Sequence, residues 1–180
     1  MARTSVCCLL VLGACGGVTA REAARPASVL LVAVDGLRAD QVGAYQEGRG
    51  VTPNLDRLAS VGVRYTDVAT PAPWTAPALA ALLTGRYPSA MGWTDLEGPL
   101  PYEETLLPEH LGQEDYVTGA VVNHRHVAAR FNLDQGFDAY EEVGLAPEGA
   151  TDDDVLPPSG SEVTDAALAL VDAAGSRPFC

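Results

Sequence analysis

The chain has 180 residues with 24 acidic and 11 basic side chains, every base an arginine, for a formal net charge of −13. A surface of that sign repels phosphate backbones, which excludes nucleic acid as a partner, and an anionic ester would need a local cation to approach it. Cys7 and Cys8 lie in an apolar leader, Cys15 at its end and Cys180 at the last position, so four cysteines build no disulfide framework and the fold rests on burial alone.

The first twenty residues run from a basic start through an apolar stretch at 6–12 to small residues, the order of a secretory signal. The apolar stretch is too short to span a bilayer. Leu12-Gly13-Ala14-Cys15 has the form of a bacterial lipoprotein signal, in which cleavage before Cys15 leaves a lipid-bearing N-terminus. Cleavage after Val18-Thr19-Ala20 is the alternative, and both routes export the protein, either as a membrane-anchored lipoprotein or to the periplasm or exterior. Roughly 165 residues remain after processing, enough for one modest domain, taken as residues 27–180.

Residues 28–34, SVLLVAV, form a nearly continuous apolar run rich in β-branched side chains, the pattern of a strand buried on both faces of a parallel sheet. Asp35-Gly36 follows, placing a carboxylate at the carboxyl end of that strand, where open α/β sheets bind ligands. Thr52-Pro53 with Leu55, Leu58 and Ala59, stopped by Gly62, predicts a short helix with a threonine N-cap. Residues 63–69 read as a strand broken by Pro71 and Pro73. A second helix must begin near Thr75, because Pro77 is tolerated only in a first turn, and it closes at Gly85. A helix over 104–113 and a strand over 117–122 follow, ending at Asn123-His124-Arg125-His126, and the alternation argues for βαβ units. The acidic stretch 141–158 reads as a loop. Ser159 and Glu162 form a capping box ahead of Val163, Ala166, Ala167, Leu170, Val171 and Ala174 at helical spacing, stopped by Gly175.

Asp35 emerging from a buried strand points to a metal or active-site duty, with a simple turn or helix cap as the alternative. Thr75 stands at a helix N-terminus, where free amides favour anions, or is an ordinary N-cap. His124 and His126, past a strand end, are ligands, proton donors or loop side chains. Asp152 to Asp154 lack the glycine and distal glutamate of a calcium loop and read as a solvated run.

Taken together, SVLLVAVDGLRADQVGAY, TPNLDRLASVGVRYTDVATPAPWT, AALLTGRYP and LDQGFDAYEEV resemble the sulfatase family of the alkaline phosphatase superfamily, in family order, over most of residues 28–143. The resemblance implies an α/β fold, a mixed and largely parallel sheet flanked by helices, and a metal-dependent hydrolase of sulfuric or phosphoric esters. Asp35 falls on the first of the paired aspartates that hold a divalent metal: calcium in sulfatase-like readings, zinc or manganese in phosphodiesterase-like ones. Gly36 stands where many members carry the second. Thr75 falls on the cysteine or serine that many sulfatases convert to formylglycine within C/S-x-P-S-R, which here reads Thr75-Ala76-Pro77-Ala78-Leu79. Asn123 matches the family's substrate-binding lysine, and His124 and His126 each lie one step from its histidine, so Asn123 and His126 are the substrate-binding candidates.

The formylglycine mechanism needs a geminal diol, one hydroxyl to attack sulfur and the other to collapse and expel sulfate. Threonine offers one hydroxyl, so no formylglycine is expected, and attack on phosphorus through a phosphoryl-enzyme is the compatible chemistry. The family domain runs to several hundred residues, so the 180-residue chain is expected to be a partial, inactive domain. Its alternatives are a non-catalytic exported lipoprotein and a truncated remnant of the same family.

Overall fold

The computed structural model describes residues 26–46, 51–93, 98–145 and 158–180. The leader with Cys15 and the acidic run at 152–154 lie outside the described residues.

Helix α1 spans Pro53–Val61 with proline in its first turn, ending at Gly62 as the sequence predicts. Thr52 does not cap it through its side chain. Its hydroxyl instead accepts the Gly43 N–H at 2.9 Å and donates to Asp56 Oδ1 at 3.0 Å, and that oxygen also takes the Ala44 N–H at 2.7 Å. The Thr52–Asp56 pair thus ties the tight turn Gly43–Tyr45 to the helix. No residue of α1 is buried, and Leu58 and Val61 of its apolar stripe are exposed.

Helix α2, Thr75–Thr84, starts at the threonine the proline argument selects and ends at Gly85, in the left-handed region with φ +68°. Ala76, Pro77, Ala80 and Leu83 bury one side of it. Ala76, Ala80 and Leu83 meet Met91, Trp93, Leu100, Leu106, Val127 and Leu133 in a single core. Leu100, Leu106 and Leu133 are fully buried, and each such leucine contributes about 1.5–3 kcal/mol of transfer free energy. Arg86, just past α2, grips both oxygens of buried Glu104 with Nη1 at 2.6 Å and the Ala90 carbonyl with Nη2 at 2.5 Å. This clamp gives the arginine of LLTGRYP its structural use.

Helix α3 is Leu107–Gly112, shorter than the span 104–113 expected from sequence. Pro108 sets the limit, since its ring excludes more than one helical turn before it. Strand β1, Gly119–Val122, pairs in parallel with β2, Ala139–Glu142, in the register Gly119↔Ala139 to Val122↔Glu142. The reading of 141–158 as loop therefore begins two residues too early. Upstream, Val117 bridges Phe179 in parallel, and Gly119 N–H donates to the Cys180 carbonyl at 2.8 Å. Gly136, at φ +77°, lets the chain turn into β2, and a Cβ there would lie 2.6 Å from the Glu109 amide nitrogen. Asp138 then accepts the Thr118 N–H at 2.9 Å, locking the start of the pair.

Helix α4, Gly160–Ala174, is capped by Ser159 and Glu162, each side chain bonding the other's backbone N–H at 3.2 and 2.7 Å, and it stops at Gly175. The Ser159 N–H, and after it the Ser159 hydroxyl, donate to the Glu162 carboxylate and hold it below its usual range. Its Leu170 side chain lies against Gly119 of β1, while Val122 packs against the core around α2.

Two expected strands do not form among the described residues. Residues 28–34 carry no strand, and Leu30 and Val32 are 74% and 70% exposed. The run is tied at its start by the Val29 N–H on the Phe179 carbonyl at 2.8 Å and by the Ser28 hydroxyl accepting the Phe179 N–H at 3.3 Å. Residues 63–69 are likewise exposed and irregular. The apolar pattern is present in both, but no described element covers it, and a strand is stabilised by its neighbours rather than by composition alone.

Candidate functional site

Asp35 stands where the run 28–34 turns, with Gly36 at φ +67° behind it. Its carboxylate reaches an open cleft of about 210 Å³ whose walls include Thr70, Trp74, Thr75 and Ala78. The Thr75 hydroxyl donates to Asp35 Oδ1 at 3.3 Å. His124, in the turn after β1, brings Nε2 to 3.5 Å from Asp35 Oδ2. Since His124 Nδ1 accepts the His126 N–H at 3.3 Å, Nδ1 keeps its lone pair and the ring proton sits on Nε2, the nitrogen at ion-pair distance from the carboxylate. Residues from three distant stretches therefore converge on one carboxylate.

The first turn of α2 lies at the same place. The amides of Thr75 and Ala76 have no carbonyl within the helix to bond, Pro77 has no N–H, and the Ala78 N–H is the first to close a turn, on Trp74 at 3.1 Å. A proline in this first turn costs nothing and leaves two amides for an anion. Leu79, at the position of the family's arginine, packs against the core. Arg38 beside Asp35 in sequence spends its guanidinium on Asp40, at 2.9 and 2.6 Å.

Asn123 and His126 do not supply the contacts to Asp35. Asn123 is exposed, and the His126 ring lies between those of His124 and Phe131, with centroids at 5.5 and 5.9 Å. The sequence names His124 as a ligand or proton-donor candidate past a strand end and a near match one step out of family register, but its pairing with Asp35 across 89 positions left no local signal.

Among the described residues no group of three or more His, Cys, Asp or Glu side chains is placed to hold a metal ion. The cleft offers the Asp35 carboxylate and two hydroxyls, Thr75 turned to that carboxylate and Thr70 donating to the Ala72 carbonyl, with the His124 imidazole beside the carboxylate. That set does not by itself fit calcium, which takes six to eight oxygens, or a four-ligand zinc site. Nor is any helix among the described residues long and apolar enough to cross a membrane.

The sequence profile of the sulfatase family matches residues 27–179. Arylsulfatase A of Bos taurus is 37% identical over 142 residues, covering 76% of this chain and 24% of that protein. N-acetylgalactosamine-6-sulfatase of Canis lupus familiaris is 34% identical over 148 residues, covering 73% of this chain and 28% of its own. The chain thus spans about a quarter of the length of these curated relatives. A structure solved in complex with its substrate D-glucosamine-2-N,6-O-disulfate superposes with a TM-score of 0.61 at 24% identity, over 79% of this chain and 30% of the other. Another, Ps i-CgsB with k-i-k-neocarrahexaose, gives 0.60 at 22%, over 79% and 41%. These superpositions establish the fold, an α/β arrangement with a parallel sheet flanked by helices, and the profile and the relatives agree on ancestry: the chain belongs to the sulfatase family.

Proposed function

We propose that the chain carries the nucleophile side of an ester-hydrolase cleft and that Thr75 is its nucleophile, acting on phosphorus rather than sulfur. The observation that carries this reading is the Thr75 hydroxyl, at the amide-presenting end of α2 and bonded to the carboxylate of Asp35. Attack would form the Oγ1–phosphorus bond and break the ester's phosphorus–oxygen bond, the hydroxyl proton passing to Asp35 Oδ1 and the departing alkoxide taking a proton from water. Water then attacks the phosphothreonine, inorganic phosphate leaves, and Asp35 returns the proton to the Thr75 oxygen. A sulfated Thr75 would lack the second hydroxyl through which a hydrate expels sulfate. The two first-turn amides would hold the anionic oxygens.

The 180 residues alone are proposed not to turn over either ester. One carboxylate does not bind a divalent ion tightly, and the net charge of −13 opposes an anionic substrate. Asp35 would contribute a single ligand to any metal, the remainder coming from outside the described residues. Leu79 in the core favours the second reading, a non-catalytic cleft on an exported protein. Export and lipid attachment at Cys15 remain part of the proposal.

The test is a titration of the 180-residue protein with inorganic phosphate, followed by amide NMR, beside assays of an aryl phosphate and an aryl sulfate. The Thr75 and Ala76 amides are expected to shift at roughly millimolar phosphate, weak because the site is shallow and open. Neither ester should turn over. Unmoved amides, or aryl sulfate turnover lost in Thr75→Ala, would overturn the reading.

A further inference from the structure

Asp35 hangs at the end of the loosely held run 28–34, its side chain 55% exposed, and a carboxylate's last torsion is broad and twofold. Nothing in that run fixes which oxygen meets Thr75. His124 belongs to the packed half of the molecule. The turn Arg125–Val127 that follows it is anchored by Val127, which is buried and whose carbonyl accepts the Tyr140 hydroxyl of β2 at 2.5 Å. The His126 N–H sets the ring's tautomer, and the His126 and Phe131 rings stack behind it. The imidazole is thereby held with Nε2 3.5 Å from Asp35 Oδ2, at ion-pair distance.

We propose that His124 is a positioning residue: it holds Asp35 Oδ2 from the packed half of the fold so that Oδ1 faces the Thr75 hydroxyl. The inference rests on the reading of Thr75 as nucleophile for its purpose, but not for its geometry. A residue of this kind matters because a nucleophile displaced by about 1 Å can lose on the order of a hundredfold in rate.

The chain has three histidines, His110, His124 and His126, so the ring nitrogens can be assigned individually by NMR on the intact protein. His124 is expected as the Nε2–H tautomer. Asp35→Asn and Asp35→Ala should both shift its ring nitrogens and leave those of His110, on α3, in place. His124→Gln, whose amide can donate from a similar position, should keep the Thr75 resonances of the parent, whereas His124→Leu should move them. An Nδ1–H tautomer, or His124 nitrogens indifferent to both Asp35 variants, would overturn the proposal. Failure of the amides to sense phosphate while the His124–Asp35 coupling persists would instead sink the hydrolase reading and leave the positioning role standing. Should Asp35→Ala fail to fold, Asp35→Asn, nearly isosteric with the parent, carries the test.

Discussion

Residues 28–34 and the stretch leading into β1 begin from nearly the same chemistry, SVLLVAV against VTGAVV, and end in different states. β1 has a parallel partner in β2, the C-terminal residues on its other side, and Leu170 of α4 across Gly119. The earlier run has a short edge contact with Phe179, and Leu30 and Val32 face solvent. A β-branched apolar run states that a segment can be a strand, and its neighbours decide whether it becomes one. The proposed site depends on this difference, since Asp35, which meets Thr75, stands at the end of the weaker run. His124 reaches that carboxylate from the stronger one.

The comparison breaks most readily at Gly119. A Cβ there would stand 3.1 Å from Leu170 Cδ1, so Gly119→Leu should overpack the α4–β1 contact and cost about 1–3 kcal/mol in urea unfolding. A cost near zero would mean that α4 does not press on β1. Tyr140→Phe is the next largest, losing the hydroxyl's bond to the Val127 carbonyl at about 0.5–1.5 kcal/mol. Burial, followed by the charges of Asp134 and Glu142, pushes the Tyr140 phenol well above its ordinary range. With the folded pKa raised, the folded state keeps its proton where the unfolded chain has lost it, so this contribution is complete below about pH 10 and is lost as pH rises beyond. Alkaline unfolding should therefore flatten in Tyr140→Phe. An unchanged alkaline limb would place Tyr140 outside the stabilised half.

What the sequence disclosed follows the same division. The boundaries of α2 and α4 were legible because they rest on local chemistry: Pro77 and Gly85 in one, the Ser159–Glu162 box and Gly175 in the other. Strand β2 was lost in an acidic, glycine-rich context, Ala139–Glu142 having one apolar-aromatic pair followed by two acids. The runs at 28–34 and 63–69 were read as strands because periodicity carries no information about cover. Within the site, Asp35 and Thr75 could be named from motifs, but their contact across 40 residues and the arrival of His124 are products of the fold. Asn123 was chosen by register with the family motif and His126 from one step beside it, and register cannot tell which side chain the turn brings to Asp35.

The smallest expected effect sharpens the contrast from the other side. Val32→Thr, at a 70% exposed position, should change stability by no more than about 0.5 kcal/mol, since surface substitutions away from packed features do little. A loss of several times that size would show the run 28–34 to be covered in solution.

The central claim is chemical: position 75 bears one hydroxyl and remains threonine in a family whose members often carry formylglycine there. Mass spectrometry of the peptide spanning residues 74–86, from protein produced in a host with the formylglycine-generating machinery, tests it most directly. The account predicts the unmodified mass with threonine at 75. A carbonyl derived from Thr75 would contradict it and return the cleft to sulfate-ester chemistry.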